Sequence, residues 1–207
     1  MPDFYLESVH PFPVAGIDEV GRGPWAGPVL AAALMFLTQD IDPTLRHCLD
    51  DSKKLTPKKR DAAFDLLQEN ARNQTLVYAC GLSTVEEIDR LNIHGATLLA
   101  MTRAVEGLPV RPGFLLVDGL FVPPCGIPGQ AVVKGDSASL SIAGASIIAK
   151  VLRDRLMAEL AKDHPAYGWE CNAGYGTKAH QEGLRLTGVT PHHRRSFAPI
   201  KALLEAA

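Results

Sequence analysis

The 207-residue chain carries no excess of positive charge; its formal net charge is −2. That excludes a protein that wraps nucleic acid through a globally basic surface, and leaves open a basic patch over an acidic centre. There is no CxxC pair. The four cysteines, Cys48, Cys80, Cys125 and Cys171, lie far apart, the pattern of scattered thiols in a reducing cytosol rather than a zinc site or a disulfide framework. The first ten residues, MPDFYLESVH, hold acids and no basic segment, so no secretory signal is expected. The longest apolar run, VLAAALMFL at 29–37, falls far short of the ~20 residues that cross a bilayer. Internal repeats and low-complexity tracts are missing too. A soluble cytoplasmic protein is expected. With 46% hydrophobic and 21% charged residues, it has material for one domain with a substantial core, spanning 1–207.

What is present alternates between strand and helix. Residues 14–18 and 27–37 read as strands joined by a Gly/Pro-rich turn, the second apolar enough to be buried on both faces. A polar loop follows. Thr56-Pro57 then opens a helix to about residue 70, and 75–82 is a third strand. Ser83 and Glu86 have the spacing of a capping box before a helix at 84–90. After Leu91-Asn92 a second helix runs to Glu106, stopped by Gly107 and Pro109. FLLVDG (114–119) and AVVKGD (131–136) are strands that each end in an acid. A long helix covers about 139–162. Its apolar face includes Leu140, Ile147, Ile148, Val151, Leu152, Leu156 and Leu160, and Ser139, Ser146, Lys150 and Arg153 fall on a second stripe. Helices near 178–187 and 196–205 close the chain. The fold class is α/β with a mixed central sheet flanked by helices, and residues from about 163 to 207 form a C-terminal helical extension.

Acids stand at or near the ends of three apolar strands: Asp18-Glu19, Asp118 and Asp136. Strand ends on one edge of a sheet converge, which is where α/β folds place ligands. Four carboxylates brought together resist ionising unless cations intervene. Oxygen-only donors select Mg²⁺ or Mn²⁺, and two such ions ~3.5–4 Å apart clamp the attacking and leaving oxygens of a phosphodiester. Each acid also has a plainer reading. Asp118-Gly119 is a possible turn, and Asp136-Ser137 a possible helix cap. Asp18 and Glu19, as strand neighbours, point to opposite faces, so either the strand bends or one of them serves differently.

Several groups suit a polyanion. Gly21-Arg22-Gly23 offers close-approach backbone N–H groups and a guanidinium. The segment DSKKLTPKKR (51–60) holds five basic residues in ten, at a helix start where positive charge is unfavourable without an anionic partner. Lys134 precedes Asp136. Tyr175 lies in AGYGTKAH, by itself the setting of a surface loop residue. His192-His193-Arg194-Arg195 is either phosphate-facing or structural.

GIDEVGRGPWAGPV, DSKKL, LLVDG, VVKGDSASLSIAGASIIAKVLRD, GYGTKAH and HHRRSF, in that order over roughly residues 15–197, resemble the successive motifs of bacterial ribonuclease HII, a type 2 ribonuclease H. The resemblance implies a ribonuclease H-like fold and an endonuclease. Such an enzyme cleaves the RNA strand of RNA–DNA hybrids and nicks duplex DNA 5′ of single embedded ribonucleotides, leaving 3′-OH and 5′-phosphate ends. It implies that Asp18, Glu19, Asp118 and Asp136 are the catalytic acids and hold the metal ions. It further implies that Gly21, Arg22 and Gly23 meet the ribonucleotide's 2′-OH and neighbouring backbone. Tyr175 would pack on the deoxyribose that follows, and Lys53 and Lys54 would contact phosphates; that Lys134 is in reach of a phosphate follows from its place before Asp136 and not from the resemblance. Gly144 departs from the alanine the family favours, at a helix-interior cost of ~1 kcal/mol. With seventeen residues before Asp18, the extra N-terminal domain of ribonuclease HIII is expected to be missing. No membrane partner is implied, and a monomer is the expected state. The competing classes are another two-metal nuclease, such as a junction resolvase or a type 1 ribonuclease H, which does not require an isolated ribonucleotide, and a non-catalytic hybrid binder, against which four intact acids argue because carboxylates repel phosphate.

Overall fold

The computed structural model describes residues 2–49 and 55–206. Its centre is a five-stranded sheet, β1 (Val14–Val20), β2 (Val29–Phe36), β3 (Leu76–Ser83), β4 (Phe114–Asp118) and β5 (Gly129–Val132), in the order β3-β2-β1-β4-β5. The first three strands form an antiparallel meander; β4 and β5 add in parallel beyond β1. The helices are α1 (Tyr5–Ser8), α2 (Pro43–Cys48), α3 (Pro57–Arg72), α4 (Val85–Glu106), α5 (Leu140–Asp163), α6 (Trp169–Asn172), α7 (Lys178–Thr187) and α8 (Ala198–Glu205). Among the described residues no helix is long and apolar enough to cross a membrane.

Alternation along the strands splits the core into two layers. Ala15, Ile17, Ala31, Ala33, Met35, Leu115 and Val117 face α4, whose Ile88, Ala96, Ala100 and Ala104 cover them. Leu30, Ala32, Leu34 and Phe36 face the other way, onto α5, α3 and α2. Every residue of β2 is buried, as a strand covered on both faces requires. A third cluster joins Ala26 to Met157 of α5 and to Tyr167, Trp169, Leu184 and Ile200, so the C-terminal helices share apolar contacts with the far end of α5 and with the β1–β2 connection.

Local signals account for most element ends. Thr56 caps α3 by accepting from the Lys59 N–H. Ser139 caps α5 through the Ile142 N–H at 3.1 Å. The break expected at Leu91-Asn92 is a kink inside α4: Asn92 has φ 59° and ψ 170°, and its side chain re-caps the helix at the His94 and Gly95 N–H groups.

Four expectations need correction. The capping box before α4 belongs to Thr84 and Glu87, one residue later, because Ser83 stays in β3 opposite Val29 and its hydroxyl turns inward to the Ala96 carbonyl at 2.7 Å. The strand expected over 131–136 ends at Val132; Lys134 takes a left-handed conformation that turns the chain into a 3-10 turn at Gly135–Ser137. Residues 43–48, read as loop, form α2, with Asp42 as cap and Pro43 at its first position. Gly144 is no simple loss of helix propensity: a methyl there would lie 2.9 Å from a terminal methyl of Leu34, so the glycine lets α5 lie close to β2.

The same closeness is tighter at β1. A methyl on Gly16 would run into the backbone of Ser141 and Ile142, which cannot yield as a side chain does. Gly16→Ala is therefore expected to destabilise the protein by about 1–3 kcal/mol, the usual range for overpacking, measured by urea-induced unfolding.

Candidate active site

The acid pair lies at the C-terminal end of β1, the central strand. Asp18 is only 6% exposed, on the face covered by α5. Its Oδ1 accepts from the Glu19 N–H at 2.7 Å, and the Ser146 hydroxyl of α5 hydrogen-bonds its carboxylate. Burial first, then the charges of Glu19 and Asp118, push the Asp18 carboxyl well above the usual carboxylate range. Glu19 faces the α4 side. Its Oε1 meets Arg22 Nη1 at 3.5 Å, while its buried Oε2 has no hydrogen-bond partner among the described residues. Burial and Asp118 raise its pKa and Arg22 opposes them.

The strand does not bend to bring the two acids to one face. A third carboxylate, Asp118, comes near both instead. In β4 the parallel register sets Val14–Ile17 beside Phe114–Val117, which carries Asp118 to the end of the strand next to Asp18-Glu19. Asp118 bears electrostatically on both acids. It is not a local turn residue, because its Oδ1 accepts from the Gly135 N–H at 2.7 Å, across to the turn after β5. That bond docks the segment carrying Asp136, which is buried on the 3-10 turn and does not cap α5; Ser139 does. The Ser137 hydroxyl stands 3.5 Å from the Asp136 carboxylate.

Charge and donor type fit a hard divalent cation here: buried like charges that resist ionising, an unpartnered carboxylate oxygen, and oxygen-only donors. The fit is not that of a preformed cage, since among the described residues no three His, Cys, Asp or Glu side chains form a ready ligand set.

The connection over residues 21–28 borders the acids. Gly21 has φ 95°, a conformation side chains rarely adopt. The connection is held by two buried arginines. Arg194 donates through Nε to the Gly27 carbonyl at 2.9 Å, through Nη1 to that of Arg22 at 3.0 Å, and through Nη2 to those of Gly21 and Pro28. Arg153 of α5 donates to the carbonyls of Pro28 and Ala173, both at 2.9 Å, and to Ala26 at 3.2 Å. Burial lowers Arg153 to about 10 and, with Arg153 alongside, Arg194 to about 9; both remain charged at neutral pH. Tyr175 is exposed on the facing loop, its ring 3.2 Å from where a Cβ on Gly23 would stand.

Arg22 and Lys134 are exposed, Arg22 beside Glu19 and Lys134 two residues before Asp136. Lys53 and Lys54 lie outside the described residues. Of the second basic cluster, His193 and Arg194 are fully buried, which decides for the structural alternative at those two positions. Sequence reasoning gave no role to Ser146 or Arg153, and none to Arg194 beyond its place in that cluster. The available signal was a seven-residue spacing, Ser139, Ser146, Arg153, along an otherwise apolar helix. It also overlooked Leu120, Phe121 and His94, which with Glu19, Arg22 and Asp118 line a shallow cleft. A larger groove of about 490 Å³ between α3, α5 and α6 is lined by charges that pair with one another, Lys150–Asp154 and Arg155–Asp61.

Comparison with known proteins gives the family and the fold. A family model described as Ribonuclease HII matches residues 15–200. The ribonuclease HII of Gluconobacter oxydans (strain 621H) is 55% identical over 206 residues, covering 100% of this chain and 98% of the relative. The ribonuclease H2 of Pyrococcus horikoshii OT3 superposes with a TM-score of 0.75 at 28% identity, over 93% of this chain and 97% of that one. Bst-RNase HIII in complex with Mn²⁺ shares the fold, with a TM-score of 0.68 at 20% identity, over 94% of this chain and 70% of its own.

Two measurements test the site's energetics. Asp18 binds its proton more tightly in the folded protein than in the unfolded chain, so its ionisation costs stability once pH rises above the ordinary carboxylate range. Without divalent cations, Asp18→Asn is expected to melt at a higher temperature than wild type at pH 7, with the gap closing as pH falls toward the ordinary carboxylate range. Lysine cannot reproduce the fork of a guanidinium, so Arg194→Lys is expected to lose about 2–4 kcal/mol by stranding buried carbonyls, read by thermal or denaturant unfolding.

Proposed function

The chain belongs to the ribonuclease HII family and is an endoribonuclease; on that premise we propose that it hydrolyses the RNA strand of RNA–DNA hybrids and nicks duplex DNA on the 5′ side of a single embedded ribonucleotide. The products carry a 3′-OH and a 5′-phosphate. The observation that carries this reading is the junction of Asp18, Glu19 and Asp118 at one sheet edge with Gly21–Gly23 and Tyr175 beside them. Acids alone repel a phosphodiester; acids with a sugar-sized polar ledge next to them suit metal-assisted cleavage at a chosen sugar.

Asp18, Glu19, Asp118 and Asp136 would hold Mg²⁺ or Mn²⁺, two ions in the active complex. When bound, the metals polarise the scissile phosphate, activate water for in-line attack and offset charge on the departing 3′-oxygen. The chain's own part is placement. Ser146 and the Glu19 N–H orient Asp18, and the Gly135 N–H orients Asp118. The Gly21–Gly23 backbone, free of side chains at both glycines and pinned from behind by Arg194, meets the ribonucleotide's 2′-OH, the group that distinguishes RNA from DNA at that sugar. Tyr175 covers the following sugar, where a second 2′-OH would crowd its ring. Arg22, Lys134, Lys53 and Lys54 contact phosphates. The reading carries with it a cytoplasmic, monomeric enzyme with no membrane partner.

The direct test is a labelled DNA duplex with one ribonucleotide, incubated with Mg²⁺, Mn²⁺ or EDTA. A nick 5′ of the ribonucleotide that EDTA abolishes is expected. Cutting of long hybrids without that nick would move the assignment to another ribonuclease H type. Losing one metal ligand removes several kcal/mol of transition-state stabilisation, so Asp118→Asn is expected to slow cleavage by more than about a hundredfold while near-UV circular dichroism stays that of wild type.

A further inference from the structure

Behind the Tyr175 loop lies a chain of buried polar rings that the catalytic reading does not use. The loop is tight: Ala173 has φ 49° and Gly174 φ 87°, and the Asn172 side chain accepts from the Gly174 N–H at 2.9 Å. The Tyr175 carbonyl accepts from the Thr177 N–H at 2.8 Å and stands 2.9 Å from His180 Nδ1. His180 Nε2 is 3.2 Å from Trp169 Nε1 and 3.0 Å from His193 Nε2. His193 Nδ1 in turn faces the Thr190 N–H at 3.0 Å and the Thr190 hydroxyl at 2.9 Å. Trp169, His180 and His193 are all fully buried.

Three groups in this chain have only one possible role, and together they determine both tautomers. A carbonyl only accepts, so His180 carries its proton on Nδ1 and donates it to Tyr175. An indole N–H only donates, so His180 Nε2 is the acceptor. The Thr190 N–H only donates, so His193 Nδ1 accepts and the proton sits on Nε2, aimed at His180 Nε2, whose one lone pair is shared between this donor and the Trp169 N–H. A second proton on either ring would face a donor. The surroundings favour the same neutral state: burial lowers both imidazoles, His193 to about 4, with His180, His192 and His164 adding to the effect on His193.

We infer that His180 is a positioning residue for Tyr175: the Thr190–His193–His180 relay, buttressed by Trp169, fixes the Tyr175 carbonyl and so sets the ring's place beside Gly23. The inference rests on the reading of Tyr175 as the residue that tests the sugar after the ribonucleotide. It extends that reading by assigning the junction preference to a buried, uncharged relay that never touches the substrate. Loss of the Nδ1 donor frees the loop, and the ring loses register with the Gly21–Gly23 ledge.

The test is the junction preference, the kcat/KM for a DNA duplex with one ribonucleotide divided by that for a uniform RNA–DNA hybrid. It is measured in Mn²⁺ for wild type, Tyr175→Ala, His180→Asn and His180→Gln. Asparagine carries its amide at the distance of Nδ1 from the backbone, glutamine at that of Nε2. The preference is expected to fall about tenfold in Tyr175→Ala and His180→Gln and to stay within about twofold of wild type in His180→Asn. A merely structural role would lower both substrates together and leave the ratio unmoved. If Tyr175→Ala loses the preference and His180→Gln keeps it, the positioning role is wrong and the reading of Tyr175 stands. If Tyr175→Ala keeps it, the reading fails and the inference with it. If the His180 variants do not fold, nitrogen NMR of the wild-type imidazoles at pH 6 decides. The relay requires His180 neutral with its proton on Nδ1 and His193 neutral with its proton on Nε2; either ring charged or in the opposite tautomer overturns it.

Discussion

The arrangement of the site depends on two buried guanidiniums that, among the described residues, have no carboxylate as a hydrogen-bond acceptor. Arg153 and Arg194 are 1% and 0% exposed, and the bonds they donate go to main-chain carbonyls: Gly21, Arg22, Ala26, Gly27, Pro28 and Ala173. A connection packed with glycine and proline between two buried strands cannot satisfy its own backbone by regular pairing, and buried carbonyls left unpaired are costly. Two arginines solve that with many donors from few side chains. They repel each other and give up hydration to do so, which is why burial lowers both below the ordinary guanidinium range. The return is geometric. A side chain on Gly21 would run into the Arg153 guanidinium and one on Gly23 would meet the Tyr175 ring, so the two glycines let the connection close on its clamp and on the facing loop.

The helix α5 ties this clamp to the acids. Ser139, Ser146 and Arg153 recur every seven residues, two helical turns, so they lie in one row. Ser139 caps the helix and donates its hydroxyl to buried Glu7 at 2.6 Å. Ser146 bonds Asp18. Arg153 bonds the connection and, through Ala173, the loop that carries Tyr175. One rigid helix therefore spaces the acid pair from the ledge and from the tyrosine. Gly16 and Gly144, where side chains would push α5 off the sheet, belong to the same requirement, because any lift of the helix would move all three contacts at once.

Much of this was legible in the sequence, for physical reasons that differ by element. Strands and long helices follow from periodicity, and the split of α4 at Asn92 from an asparagine that can take a positive φ and re-cap the chain. The motifs that resemble ribonuclease HII led to the family that the comparisons show. The capping box slipped by one residue because Ser83 and Thr84 are both good caps, and only cross-strand pairing with Val29 decides between them. The end of β5 was misplaced because a left-handed Lys134 has no sequence signature; lysine is not a residue that announces a positive φ. Arg194 was invisible as a clamp because an HHRR run reads equally well as a phosphate patch, and burial depends on contacts with residues 21–28, over a hundred and sixty positions away.

The acids themselves show why local rules fail where chemistry is placed. Asp18 and Glu19 sit on opposite faces of a strand whose other residues are apolar or glycine, all of them buried up to Ile17, and each acid is pushed toward its neutral form. A chain selected for stability alone would hold neither there. Asp118 worsens the repulsion for both, because the parallel register ends its strand at the edge they share. Its second bond, to Gly135, then brings in the turn with Asp136, an acid that strand geometry alone would have left four residues beyond the end of β5. The convergence is thus not a property of strand ends as such. Asp118 comes to the pair through a parallel register, and the Asp136 turn comes to Asp118 through the Gly135 N–H bond to its carboxylate.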